Sequence, residues 1–253
     1  LFTEKKKMIC FYLVMQMVFL PEQIKRAVGE AVCVHSMIED GDNVLVGLSG
    51  GKDSSLLLLA LKHLQQVSPV KFNIVALTVD PTGGDFDPLE LRDFCKSLDV
   101  PHIYYPYPIF EIIELRKESS PCSFCANMRR GILSGIAHEK GFTKLALGHH
   151  LTDAITTLLL NMFYSGRFHT LQPKTWQSRT QTWVIRPFIY LPEKEIQSAA
   201  SLANLPLSSP KCPYGDNTKR KFMKEVLSEI IKEAPQGEYS ALTALKRALW
   251  TSQ

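Results

Sequence analysis

Apolar positions along this chain keep two rhythms. Between residues 21 and 38 they recur at Ile24, Ala27, Val28, Ala31, Val32 and His35, a helical spacing. Glu39-Asp40-Gly41-Asp42 reads as a turn, and residues 43 to 48 form a short run rich in Val and Leu, as expected of a strand buried on both faces. The rhythms then alternate. Helices are predicted over 54–66, 88–97, 122–140 and 152–164, and strands over 72–80, 102–107 and 144–148.

Strands separated by helical stretches imply βαβ units, and so an α/β fold with a Rossmann-like parallel sheet covered by helices on both faces. Ligands in such sheets sit beyond the carboxyl ends of the strands. The chemically suggestive segments after Leu48 and after Leu147 fall at such ends. Beyond Gly166 the pattern loosens: 168–181 is polar and aromatic without period, 183–188 reads as a strand, and helices are expected over 193–204, 219–232 and 238–250. The expected organisation is an N-terminal helical segment (1–38), an α/β domain (39–190) and a helical C-terminal region (191–253).

Lys5-Lys6-Lys7 and the apolar run over 8–20 imitate a secretory signal. The run ends in Leu20-Pro21-Glu22-Gln23 rather than a small-x-small cleavage site, and it is shorter than the roughly 20 residues of a membrane span. A buried or partner-packed helix is the expectation, with no membrane association. The chain opens on Leu1 rather than Met, so a truncated start is allowed for.

Composition changes this picture little. With 253 residues and 45% hydrophobic content a packed core is expected, and 29 Lys+Arg against 25 Asp+Glu permits a polyanionic partner without demanding one. Six cysteines, at 10, 33, 95, 122, 125 and 212, are too few and too uneven for a disulfide scaffold, which favours a reduced, cytoplasmic setting.

Ser49-Gly50-Gly51-Lys52-Asp53-Ser54, between a buried strand and a helix, carries the strongest chemistry. Two glycines stand where the backbone must bend and approach a ligand without a Cβ in the way. The helix N-terminus favours an anion, and Ser49 and Ser54 can donate hydroxyl hydrogen bonds. The alternative is a plain strand-to-helix turn capped by Asp53 and Ser54. The loop is not the Gly-x-x-x-x-Gly-Lys-Ser/Thr pattern of P-loop NTPases.

It resembles the Ser-Gly-Gly-x-Asp-Ser loop of the ATP pyrophosphatase, or PP-loop, superfamily, which splits ATP between the α and β phosphates to activate a carbonyl-type oxygen. That resemblance implies ATP binding by residues 49 to 54 with Gly47 near the nucleotide. It also implies a role for Asp53 with Mg²⁺ and the leaving group, and adenine and ribose near Thr78-Val79-Asp80. An Asp beside phosphates is sensible only with a divalent cation.

Cys122-Ser123-Phe124-Cys125 lies at the mouth of a predicted helix, whose dipole is expected to favour thiolate. As a lone motif it fits a redox pair, half a zinc site or two iron–sulfur ligands. A second Cys-x-x-Cys for zinc and a thioredoxin-like setting for redox are both missing from the sequence. Cys212 is isolated in a Pro-rich loop.

Taken with the phosphate loop, residues 122–133, Leu147-Gly148-His149-His150-Leu151-Thr152-Asp153 and Asn161-Met162-Phe163-Tyr164 resemble the tRNA 2-thiocytidine synthetase family. That family implies a [4Fe-4S] cluster on three cysteines, matched here by Cys122, Cys125 and Cys212, with an open iron where sulfur is bound. Cys10, Cys33 and Cys95 are read as structural. Two departures stand out. Cys212-Pro213-Tyr214-Gly215 keeps only the first cysteine of the family's usual downstream pair, and the Arg-Asp-Asp after the paired histidines is altered to Leu151-Thr152-Asp153.

Arg129, one helical turn past Cys125, is expected to reach phosphates or the target base, with Arg130 a weaker candidate. Gly148 is expected to allow close approach of the nucleotide, and His149 to lie beside it. Asp153 either positions Mg²⁺ or substrate or merely caps a helix. Arg167, Lys174, Arg179, Lys211, Lys219, Arg220, Lys221 and Lys224, interleaved with Phe168, Trp176, Trp183 and Tyr214, suit RNA contact or an ordinary surface.

The resemblance therefore implies ATP- and iron–sulfur-dependent thiolation of a tRNA base, cytidine first. Sulfide or a cysteine desulfurase would be the sulfur source, and a homodimer is allowed for. A thiouridine-forming relative, a lysidine-type amine ligase and a non-enzymatic iron–sulfur or sulfur-carrier protein are the rivals.

Overall fold

Strand β1 (Asn43–Gly47) is the axis of the structure, a computed structural model that describes residues 20–214 and 219–251. The apolar run over 8–19 and Cys10 lie outside the described residues. Val44, Leu45 and Val46 are wholly buried because helices cover both faces: Val44 and Val46 join the larger core, Leu45 the smaller. Each such side chain contributes roughly 1.5–3 kcal/mol.

The sheet order is β3-β2-β1-β4-β6-β5. Strands β2 (Asn73–Asp80), β3 (His102–Pro106), β4 (Lys144–Ala146) and β6 (Thr182–Ile185) run parallel to β1. The exception to the expected parallel sheet is β5 (Lys174–Gln177), which pairs antiparallel with β6. Its sequence, Lys-Thr-Trp-Gln, lacks an apolar alternation because one face of this edge strand stays open.

One face of the sheet carries α1 (Glu22–Val34), α2 (Lys52–Val67), α3 (Leu89–Ser97) and α6 (Leu151–Ser165), joined by α7 (Glu193–Leu202), α8 (Lys219–Glu233) and α9 (Gly237–Ala248). The other carries α4 (Ile109–Arg116) and α5 (Pro121–Glu139). Helix α4 escapes the sequence pattern because it is one short element with two buried anchors, Ile109 and Ile113.

The chain leaves β1 toward β2 on one side and pairs β1 with β4 on the other. This is the topological switch point of an open α/β sheet, where a crevice opens at the carboxyl ends. Strand β4 stops two residues before its predicted end, which frees Leu147 and Gly148 to line that crevice. No helix among the described residues is long and apolar enough to cross a membrane.

Candidate active site

The phosphate loop is built by the start of α2, which begins two residues earlier than its pattern predicts, with Gly51 as N-cap. Lys52, Asp53 and Ser54 thus form its first turn, where free N–H groups favour an anion. The loop holds its own shape. Ser54 Oγ donates to the Gly51 carbonyl (3.0 Å) and accepts from Ser49 N–H (3.1 Å), and the two serine hydroxyls lie 3.0 Å apart. Ser54 therefore acts first as a brace, and the N–H groups of the first turn of α2 are the donors left to face a ligand.

Gly50 has φ +80°, and a Cβ there would stand 1.7 Å from the Ser208 carbonyl oxygen. The segment over 205–214, between α7 and α8, crosses directly over the loop. Gly148, on the cavity, also has a close neighbour in the protein. A Cβ on it would come within 3.1 Å of the Asp53 carbonyl, so its bareness lets the β4–α6 turn press on the first turn of α2.

These elements enclose a cavity of about 600 Å³. Gly47, Ser49, Gly51, Asp53, Ser54, Gly148 and His149 line one side, and Cys122, Cys125, Arg129 and Cys212 the other, with Asp153 between. Residues from α5 and from the distant 205–214 segment are thereby brought to the phosphate loop. Lys52 does not line the cavity; it turns aside to Glu193 (3.0 Å) and Asp53 (3.2 Å). Burial works to lower the Lys52 pKa, but these two carboxylates outweigh it and leave it raised.

Thr78 and Asp80, expected beside adenine and ribose, do not line the cavity. Alternation along β2 puts Leu77 and Val79 on the cavity, while Thr78 is buried against His102 Nε2 at 2.9 Å. The Asp80 carboxylate is wholly buried and accepts from Thr82 N–H, Gly84 N–H and the Tyr104 hydroxyl. Burial would raise its pKa, but these donors hold it below the usual carboxylate range. Its side chain shapes the loop after β2.

Asp153 is both cap and ion-pair partner. It completes a capping box with His150 at the start of α6, and its Oδ1 lies 2.7 Å from Arg220. Burial opposes its ionisation, yet His150 and Arg220 hold its pKa at about 2. Glu193, which sequence reasoning missed, bridges Lys52 and Lys224 (2.7 Å). Its only sequence signal was an acid in the first turn of a helix. His149 is pushed down to about 4, first by burial and then by Arg186, so it is a neutral imidazole with a buried, unpartnered Nδ1.

Cys122 is the second residue of α5, after Pro121 at its start, and Cys125 lies beyond the first turn. The expected dipole effect therefore does not prevail at Cys125, whose thiol is pushed up by burial with the Arg129 guanidinium only partly offsetting it. The Cys122 thiol donates to the Tyr214 carbonyl at 3.5 Å. The Tyr214 ring stands edge-on to Phe110 at 6.0 Å, which pins the Cys212 segment to α4 and α5. Cys95 is buried, with burial pushing its thiol to about 12, whereas Cys33 is exposed and has no part in the core.

Among the described residues no three His, Cys, Asp or Glu side chains converge on one point suited to a single metal ion. Three thiols spread along the wall of one cavity suit instead the separate corners of an iron–sulfur cluster, so the residues fit that group. For a divalent cation, Asp53 Oδ1 is buried without a hydrogen bond, though within ion-pair distance of Lys52. That oxygen fits a metal bound together with phosphate.

Residues 21–230 match the family model of the PP-loop domain. The tRNA-cytidine(32) 2-sulfurtransferase of Pelobacter propionicus is 41% identical over 88% of this chain and 84% of the relative. That of Geobacter sulfurreducens is 38% identical over 88% and 89%. Among solved structures, the U34-tRNA thiolase NcsA from Methanococcus maripaludis with its [4Fe-4S] cluster superposes with a TM-score of 0.73 at 24% identity, covering 89% of this chain and 77% of that one. That likeness confirms the α/β fold. With its phosphate loop, its cysteine wall and these relatives, the chain belongs to the PP-loop family, within the group of the tRNA-cytidine(32) 2-sulfurtransferases.

Proposed function

We propose that the protein thiolates tRNA, replacing the 2-oxygen of cytidine 32 with sulfur at the expense of ATP. The observation that carries this reading is the single cavity shared by the phosphate loop and the three cysteines. An enzyme that only adenylates has no use for the thiols, and a sulfur carrier has no use for the loop.

The free N–H groups of Lys52, Asp53 and Ser54 hold the β and γ phosphates at the start of α2, where the helix dipole offsets their charge. The base oxygen attacks the α-phosphorus, the α–β P–O bond breaks, and pyrophosphate leaves while still held by the loop. Asp53, whose Oδ1 is buried without a hydrogen bond, would hold Mg²⁺, and that cation would offset the charge of the leaving pyrophosphate. Arg129, which lines the same cavity, stabilises charge on the α-phosphate. His149, being neutral, hydrogen-bonds without adding charge. Cys122, Cys125 and Cys212 would hold a [4Fe-4S] cluster, which would supply the sulfur nucleophile that replaces the activated oxygen as AMP departs. Sulfide or a cysteine desulfurase provides that sulfur, and the reaction belongs in the cytoplasm.

The test is mass spectrometry of nucleosides from tRNA incubated anaerobically with reconstituted protein, ATP and sulfide. The expected product is 2-thiocytidine, with one AMP and one pyrophosphate released per sulfur. Absence of any thiolated nucleoside, with cluster intact and ATP bound, sinks the proposal. Thiouridine in its place would correct the substrate base.

A further inference from the structure

Eight consecutive residues at the end of α6, 162 to 169, are exposed. Phe163 is 73% exposed, Phe168 63% and Tyr164 48%. Solvent-facing aromatics in such a cluster have a use other than packing.

The ridge is held in shape. Gly166 ends α6 with φ 61° and turns the chain back, so that Arg167 N–H donates to the Asn161 carbonyl (3.0 Å) and Asn161 Nδ2 donates to the His169 carbonyl (2.7 Å). The ammonium of Lys219, at the start of α8, stands 4.5 Å from the centre of the Tyr164 ring. Phe222, 54% exposed, lies one turn along α8 from Lys219. The charge is one-sided: after Asp153 the chain carries no Asp or Glu until Glu193, yet contains Arg167 on the ridge itself, partly exposed Lys174 and exposed Arg179.

Helix α6 links this ridge to the active site. Asp153, in its first turn, lines the cavity, and Tyr164, in its last, lies about 16 Å farther along the axis. Neighbouring Arg220 reaches Asp153 while Lys219 covers Tyr164, so one helix start serves both places.

Resting on the thiolase reading above, we propose that this ridge is a stacking platform for unpaired RNA bases flanking the target nucleotide. Phe163, Phe168 and Phe222 offer ring faces that accept any base, while Arg167 and Lys219 meet the backbone phosphates. A stretch without carboxylates suits an RNA better than a second copy of the chain, whose matching ridge would bring like charges together.

The experiment measures binding of a fluorescent anticodon stem-loop, and of a fully paired RNA of equal length, to the cluster-loaded protein. The wild type is expected to favour the stem-loop. Phe163→Ala with Phe168→Ala should weaken stem-loop binding by at least about fivefold, since each stacked base is worth that much or more. ATP affinity and iron content should not change, and Phe163→Trp should restore binding. Arg167→Gln, a gentler variant, should reduce the salt slope of log affinity by about one. Unchanged stem-loop affinity in the double variant, with a wild type that thiolates tRNA, overturns the platform alone. If that variant also turns a dimer into a monomer by light scattering, the ridge is an interface between copies. A wild type that neither binds nor thiolates tRNA overturns the parent reading as well.

Discussion

The two walls of the cavity are made in different ways. The phosphate loop is local: six consecutive residues, a brace between Ser49 and Ser54, a strand with a buried centre before it and a helix buried over 54–61 after it. The cysteine wall is assembled from two places far apart in sequence, α5 and the 205–214 segment, joined by Tyr214 against Cys122 and Phe110. A wall of the first kind should keep its shape without a ligand. A wall of the second kind, with Cys212 exposed and a half-buried thiol pushed up in pKa, should depend on what it binds.

The largest effect that separates the walls is loss of a thiol. Cys122→Ser, Cys125→Ser or Cys212→Ser should each abolish sulfur transfer and strip the iron, while nucleotide affinity stays within about twofold, below the 1.4 kcal/mol of a tenfold change. Iron analysis beside calorimetric ATP titration checks this. Loss of ATP binding in Cys212→Ser would mean that the walls are not separable.

Where they touch, at Gly50 under Ser208, the next effect should appear. Gly50→Ala places a Cβ on a left-handed residue, costing about 1–2 kcal/mol, and drives it into the Ser208 carbonyl. Either the loop or the Cys212 segment must shift. Nucleotide affinity should fall by at least about tenfold, and cluster occupancy should drop as well. A variant that binds ATP as the wild type does would show that the overlying segment swings free.

This difference also explains what could be read from the sequence. The strand–loop–helix around residues 43 to 67 was legible because its chemistry and its hydrophobic period lie on adjacent residues. The pairing of Cys122 and Cys125 with Cys212 came from family resemblance, since spacing alone left zinc and redox readings open. That Thr78 and Asp80 do not line the cavity could not be read, because a motif at a strand end does not reveal which side chains the pleat turns inward. Glu193, Arg186 and the Ser208 contact were invisible. Each acts through a partner far away in the chain, and an acid in the first turn of a helix, the one local signal at Glu193, does not say which partner.

Titration adds a readout of the fold around the site, because several ionisable groups are held away from their ordinary pKa values. His149 and His102 are both held near 4, first by burial and then by Arg186 and Arg92 respectively. Unfolded, each returns to about 6.5, so between 6.5 and 4 the unfolded chain binds protons that the folded one does not. Stability should fall as pH drops through that window and then level. Asp153 and Glu193, held at about 2, add a second decline below about 4 as they become protonated. Together the two stages should remove a few kcal/mol, read from urea midpoints at pH 7.5, 5 and 3. A flat profile from pH 7 to 4.5 would show that the histidines are not buried as described.

The smallest effect tests whether the phosphate loop is as self-sufficient as its local bracing suggests. Lys224 on α8 pairs with Glu193, which pairs with Lys52, which stands beside Asp53, so a chain of charges runs from the C-terminal helices into the loop. These side chains are about one-third exposed, and such pairs contribute at most about 1 kcal/mol. In Lys224→Ala, Glu193 keeps Lys52 as its partner and Asp153 keeps Arg220. Stability should drop by less than about 1 kcal/mol, and ATP affinity should change by no more than about threefold. A tenfold loss of ATP affinity at unchanged stability would instead make α8 part of the phosphate site, and the loop would then be as much an assembly of distant parts as the cysteine wall facing it.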